Sequence, residues 1–245
     1  MEAQTWTWDG IPQAKGRRVV YPWSIPGWWF SCCRSYKIRK THIYMSRSNG
    51  KCRLSPDPIP DALVRKVLDA GIRAPNGGNQ QRWRFFVIKD PETKRWIQER
   101  YRNTDRPAHA PPQNPAETRT MARNDAAANH LAAHLHEVPV LILCCLQHDG
   151  SPSDINRGAS IYPAVQNMLL AARGLGLASV LTTRPRRGFE KEIKEKLGIP
   201  DHVDTAALLP LGYPAAGARY GPTKRRPVEE VTFDEQCGQR WEART

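Results

Sequence analysis

The chain has 245 residues, 40% of them hydrophobic, a mean hydropathy of −0.62 and a formal net charge of +13. That length suits one domain of about 190 residues with additional sequence, and no run of about 18 apolar residues is present to cross a membrane. Residues 19–33 are rich in tryptophan but are broken by Pro22 and Pro26 and lack a smooth apolar centre, so a secretory signal is not expected. The six cysteines have no CxxC or metal-ligand spacing; they include the adjacent pairs Cys32-Cys33 and Cys144-Cys145. No disulfide framework is implied, so a reducing cytoplasm is the expected compartment. The seven histidines show no HExxH pattern, and His130, His134 and His136 are expected on a solvated helix face.

The positive charge is concentrated at the start. Residues 1–53 hold ten Lys and Arg against Glu2 and Asp9, which is +8 of the net +13, together with Trp6, Trp8, Trp23, Trp28 and Trp29. A basic, aromatic stretch of this kind has the chemistry to neutralise and stack a single strand. It shows no helical or strand period, however, and the remaining 192 residues carry an ordinary balance of charge. Residues 1–53 are therefore expected to be a basic, tryptophan-rich, poorly ordered leader, and residues 54–245 the folded domain. A nucleic-acid partner is not expected.

Pro56, Pro58 and Pro60 mark the boundary, and Asp61 opens a helix over residues 61–73 with Leu63, Val64, Val67, Leu68 and Ile72 on one face. A glycine-rich corner follows, then a strand over 84–89 and a helix over 91–101. Residues 102–120 lack an apolar period and read as a long loop, either a lid or disordered. An alanine-rich helix is predicted over 121–136. Residues 139–146 form a continuous apolar strand, long enough to be buried on both faces. The helix predicted over 160–173 is apolar nearly all round, so it belongs in the centre of the core or at an interface. Gln166 and Asn167 interrupt it, and amides placed there require backbone or ligand partners. A strand over 178–183, a short charged helix over 190–197 and a strand over 205–213 complete the pattern, and an extended arm follows Pro214. Helices and strands alternate without repeats, which gives one α+β sandwich.

The corner reads Ala74-Pro75-Asn76-Gly77-Gly78-Asn79-Gln80-Gln81-Arg82-Trp83. Two glycines permit positive φ and close approach of bare backbone, and two short amides bond neighbouring backbone or a polar ring edge. A turn between helix and strand accounts for the same residues; a corner for a flat heteroaromatic ligand is the functional reading. This segment resembles the "AP-S/N-G-x-N-x-Q-x-W" stretch of the FMN-dependent nitroreductase family. Three further segments resemble that family in its order. Residues 161–172 (IYPAVQNMLLAA) are similar to its long central helix, and Leu181-Thr182-Thr183 to its flavin-contacting strand end. Residues 209–214 (LPLGYP), followed by Lys224-Arg225-Arg226-Pro227, are similar to its last core strand and C-terminal arm.

The resemblance implies a central, mainly antiparallel sheet flanked by helices, a homodimer with flavin sites at the subunit interface, and FMN as cofactor. It also implies NADH or NADPH as electron donor, a small nitroaromatic or quinone-like acceptor, and ping-pong exchange of the two on one ring face. Pro75, Asn76 and Gly77 are expected along the flavin, with a backbone N–H of Gly78 or Asn79 at N5. Gln166 lies on the central helix beside them, Thr182 and Thr183 reach the pyrimidine edge, and Arg225 closes on the phosphate. Arg47 and Lys51 keep the four-residue spacing of the family's phosphate-binding pair, although the serine between them is displaced. Within the family the chain is most similar to the iodotyrosine deiodinase branch, whose lid uses Glu, Tyr and Lys. Residues 100–136 contain Tyr101 and Glu117 but no lysine, so deiodination is not implied. Two other readings stand beside this one: a non-catalytic nucleic-acid or anion-binding protein using the leader, and a flavin-fragmenting enzyme of the same fold.

Overall fold

The computed structural model describes residues 53–105, 111–153, 155–218 and 225–241. Residues 1–52 of the leader, with Arg47 and Lys51, lie outside the described residues. The described elements run α1 (Asp61–Gly71), β1 (Trp83–Ile88), α2 (Pro91–Asn103), α3 (Pro115–His134), β2 (Val140–Gln147) and α4 (Ile155–Gly174). They continue with β3 (Ala178–Ser179), α5 (Arg184–Gly188), α6 (Glu190–Leu197) and β4 (Val203–Gly212).

The four strands form one antiparallel sheet in the order β1-β2-β4-β3. Residues 140–146 of β2 are all buried, as a continuous apolar run requires. Its side chains alternate between two clusters. Val140, Ile142, Cys144 and Leu146 pack with Val64 and Val67 of α1 and with Ile161, Val165 and Met168 of α4. Leu141, Leu143 and Cys145 pack with Ile97 and Tyr101 of α2, Leu131 of α3 and Ile193 of α6. The result is a helix–sheet–helix α+β sandwich, as the sequence predicts. β4 carries one extra residue opposite Cys144 and Cys145, where the register shifts, and this bulge turns Thr205 toward Glu190.

α1 and α4 approach closely because Gly71 has no side chain. A Cβ at Gly71 would lie 2.8 Å from Met168 Cγ, and the Asn167 amide donates to the Ala70 carbonyl at 3.2 Å. Asn167 thus finds a backbone partner. α4 begins five residues before the predicted start and continues through Pro163, which removes one helical hydrogen bond without ending a helix packed on the sheet.

Several expectations change. The loop predicted over 102–120 ends in the first turn of α3, which begins at Pro115. Asn114 caps it: its Oδ1 accepts from the Glu117 backbone N–H at 2.9 Å, while the Glu117 carboxylate accepts from Asn114 Nδ2 and from the Gln113 N–H. This reciprocal cap, with Pro115 at the first helical position, supplies what the weak apolar period does not. The strand predicted over 178–183 is only two residues long; beyond it Thr182 alone rejoins the sheet, exchanging two backbone bonds with Leu208. α5, which the sequence reading does not contain, follows at once. The described part of the C-terminal arm, residues 225–241, is not fully extended. It forms a short turn at Val228–Glu230 and a bridge between Phe233 and Arg240, with Val228, Val231, Phe233 and Trp241 exposed.

Two outcomes test this packing. Asn114→Ala should lower unfolding free energy by about 1 kcal/mol in urea titration, with Asn114→Asp close to wild type; equal stability of all three would show that the cap contributes nothing. Burial pushes the Cys145 thiol up to about 12 and the Cys144 thiol higher still. Both should resist thiol-directed labelling in the native protein near pH 8 and react once it is unfolded, as peptide mapping would show.

Candidate functional site

The glycine corner sits between the end of α1 and the start of β1, and α4 holds it. Gly77–Asn79 make a tight turn in which Gly78 (φ 57°), Asn79 (φ 52°) and, after Gln80, Gln81 (φ 52°) take left-handed backbone. Glycine accepts that region freely and asparagine tolerates it; for Gln81 it costs about 1–2 kcal/mol. Hydrogen bonds hold it in place. Asn76 Oδ1 accepts from the Gln81 N–H at 2.9 Å, and the Gln81 amide donates to Asn79 Oδ1 at 3.3 Å. The Asn79 N–H is turned to the Asn76 carbonyl at 3.2 Å, so of the two amides expected at a ring nitrogen, Gly78 is the one left to serve.

Ser160 of α4 locks the corner to the sheet. Its hydroxyl accepts from the Gly77 N–H at 3.3 Å, and its carbonyl accepts from the indole N–H of buried Trp83 at 2.8 Å. In the sequence Ser160 only marked a helix start. The signal for its role was a polar side chain six residues before Gln166, at the start of the apolar stretch of the helix. Asn76, Gly77 and Ser160 line a cavity of about 380 Å³ together with Arg82, His148 and Arg157. That size is in the range of small-molecule sites.

Arg157 and His148 are held by polar contacts with Asp204. Arg157 at the start of α4 donates to Asp204 at 2.8 Å, and His148 Nε2 lies 3.4 Å from the same carboxylate. Arg186 of α5 approaches Asp204 at 3.6 Å and donates to the Thr205 carbonyl at 2.9 Å. At the rim, the Ser151 hydroxyl and backbone N–H hold Asp149 down at about 2, so it is anionic throughout the neutral range.

The remaining expected residues lie elsewhere. Pro75 is exposed beside the corner, and Gln166 is half-buried on α4. Thr182 and Thr183 are half-buried at the opposite edge of the sheet, Thr183 immediately preceding α5. At one level of the sheet the partners run Phe86, Leu143, Leu208, Thr182 from β1 across to the far edge. Three spacings of about 4.8 Å separate Phe86 from Thr182 by roughly 14 Å, and the corner lies farther along still. Within one chain, the corner and Thr182 cannot border the same flat ring. Arg225 is exposed just before the turn at Val228–Glu230.

Tyr101, the tyrosine considered for a substrate lid, is buried to 2% exposure. Its hydroxyl is 2.9 Å from Thr182 Oγ1, and Arg184, itself buried, donates to the Tyr101 carbonyl at 2.9 Å. Such a side chain cannot clamp a ligand from solvent; it holds the Thr182 segment.

Comparison with known proteins identifies the family and the fold. The chain is 30% identical over 196 residues to an NADH dehydrogenase of Thermus thermophilus, covering 74% of this chain and 89% of that one. It is 28% identical over 203 residues to iodotyrosine deiodinase 1 of Rattus norvegicus, covering 80% and 70%. Among solved structures, a nitroreductase of Desulfovibrio desulfuricans in complex with FMN superposes with a TM-score of 0.56 at 25% identity, over 78% of this chain and 94% of that one. An oxidized iodotyrosine deiodinase bound to FMN and 3-iodo-L-tyrosine gives 0.57 at 24% identity, over 74% and 93%. Residues 47–213 match the nitroreductase family, and the chain belongs to it.

Proposed function

We propose that the protein is an FMN-dependent oxidoreductase that works as a homodimer. The observation that carries this reading is the strained, hydrogen-bonded corner at Asn76–Gln81, opening on its cavity in a chain of the nitroreductase family. Left-handed backbone at two non-glycine residues is kept where a site over-determines it. The corner presents bare backbone at Gly77 and Gly78, and the small side chain of Ser160 leaves room for a flat ring against it. FMN supplies the redox chemistry, accepting two electrons from NADH or NADPH and delivering them to a small electron-poor acceptor, nitroaromatic or quinone-like.

The chain's own residues then bind and orient. Pro75, Asn76 and Gly77 border one ring edge, and the Gly78 N–H is placed to stabilise charge that develops on it. Gln166 flanks the ring from α4. Thr182 and Thr183 meet the pyrimidine edge, and Arg225, with Arg47 and Lys51, neutralises the phosphate through charge-assisted hydrogen bonds. Donor and acceptor use the same open face in turn, which gives ping-pong kinetics, and water supplies protons. A cytoplasmic location suits a nicotinamide donor and two buried free thiols.

The separation of the corner from Thr182 supports the dimer. One ring touches both only when the corner comes from one copy and Thr182 with Arg225 from the other. α4 carries apolar side chains suited to that contact: Ile155, Tyr162 and Leu170 are exposed, Ile155 to 88%. The acceptor is unlike an iodotyrosine. Tyr101 is buried, and no lysine lies in residues 100–136 to hold a zwitterion.

Purified protein should be yellow, bleach on adding NADH or NADPH, and release FMN rather than FAD on heating. Colourless protein that takes up no added FMN would rule the reading out. Arg225→Ala should weaken FMN binding by about 1.5–3 kcal/mol, roughly 10- to 150-fold in Kd, with a smaller effect for Arg226→Ala. Tyr162→Glu should shift the protein toward monomer in sedimentation and lower FMN uptake with it; a monomer that binds FMN at wild-type affinity would overturn the two-copy site.

A further inference from the structure

Thr182 is held in two ways. Its backbone N–H donates to the Leu208 carbonyl at 3.1 Å, and its carbonyl accepts from the Leu208 N–H at 2.8 Å, so its backbone position is fixed by β4. Its side chain is addressed separately. The hydroxyl of Tyr101 is 2.9 Å from Thr182 Oγ1, and the Arg184 N–H points at the same oxygen at 3.5 Å. Tyr101 in turn is pinned by Arg184, which donates to its carbonyl and lies over its ring at 4.6 Å. The group lies inside the packed layer between α2 and α5, with Tyr101 and Arg184 exposed to only 2% and 6%.

A threonine hydroxyl has one proton and two lone pairs. The Arg184 N–H addresses one lone pair. When Tyr101 donates, the second lone pair is filled and the Thr182 proton is free for an acceptor outside the pair, such as a flavin edge. When Tyr101 accepts, the Thr182 proton is consumed internally, and the hydroxyl offers nothing to an acceptor outside. The Tyr101–Thr182 pair is therefore a donor–acceptor element with two orientations. A flavin is the kind of ligand that distinguishes them, because its N1 and N5 are bare acceptors when oxidised and carry N–H or charge when reduced.

We infer that Tyr101 is a positioning residue for the flavin edge: by setting the direction of the Thr182 hydroxyl proton, it tunes the relative affinity of the site for oxidised and reduced FMN without touching the cofactor. This rests on the reading of Thr182 as a flavin-edge contact. It makes the end of α2, which precedes the segment leading to α3, part of the redox site through one buried hydrogen bond.

The variant that isolates the hydroxyl is Tyr101→Phe, which keeps the ring, its packing and the Arg184 contact. The readouts are the reduction potential of bound FMN, the Kd for oxidised FMN and the thermal midpoint of the apoprotein. Tyr101→Phe should change the ratio of oxidised to reduced affinity about five- to tenfold, where tenfold is about 30 mV for a two-electron couple. Thr182→Ser should retain the wild-type potential. Thr182→Val should shift it, and Tyr101→Phe should add nothing in that background, because the pair acts as a unit. A purely structural Tyr101 would lower the apoprotein midpoint and leave the potential unmoved, which overturns the inference. Additive shifts in the double variant overturn it too, while leaving the FMN reading intact. Wild-type protein that binds no FMN removes both.

Discussion

Everything else in the domain depends on one strand having no solvent face. All seven residues from Val140 to Leu146 are buried, so β2 needs a neighbour on each edge and a helical layer on each side. Two antiparallel partners satisfy its backbone, and α1 with α4 and α2 with α3 and α6 cover its two faces. This double burial fixes what surrounds the site. The corner must lie where β1 begins, beside the end of β2, and Thr182 must lie beyond β4. The two are kept apart by the width of the sheet.

Much of that arrangement was legible in the sequence, for a physical reason. A continuous apolar strand, an almost wholly apolar helix and a Gly-Gly corner are strong local statements, each set by burial or by backbone freedom rather than by a distant partner. The weaker elements were decided by contacts no local pattern reveals. α3 starts at Pro115 because Asn114 and Glu117 cap each other, although its apolar period is poor. β3 stops at Ser179 because Thr182, not the intervening residues, finds Leu208. α4 runs through Pro163 because tertiary packing outweighs one missing hydrogen bond. Site residues divide in the same way. Asn76, Gly77 and Gly78 are recognisable from composition, whereas Ser160 and Tyr101 act through partners 83 and 81 residues away. Arg47 and Lys51 keep only their spacing, and a spacing of charges is compatible with any solvated surface.

The two halves of the proposed site are built on different principles. The corner is a backbone device: its donors are amides, its shape comes from left-handed residues, and its side chains are spent on holding that shape. Asn76 secures Gln81, Asn79 receives the Gln81 amide, and Ser160 takes the Gly77 N–H. Such a corner cannot reorient without losing several hydrogen bonds at once, which suits a rigid edge for a ring. The Thr182 edge has its backbone clamped by β4, yet its functional atom is a rotatable hydroxyl whose direction is set by another hydroxyl.

That asymmetry matches what a redox cofactor asks of a protein. A cofactor must be held in one place through the catalytic cycle, which calls for fixed backbone dipoles. Its hydrogen-bonding edges change character when it is reduced, which calls for at least one group able to donate in one state and accept in the other. A backbone N–H only donates, and arginine only donates. Among the residues gathered at the sheet's far edge, the hydroxyls of Thr182, Thr183 and Tyr101 can do either, and the bond between Tyr101 and Thr182 couples the directions of their two protons. The stable part of the proposed site and its adjustable part therefore come from opposite margins of one sheet, and the proposed two-copy site would bring them to the same ring.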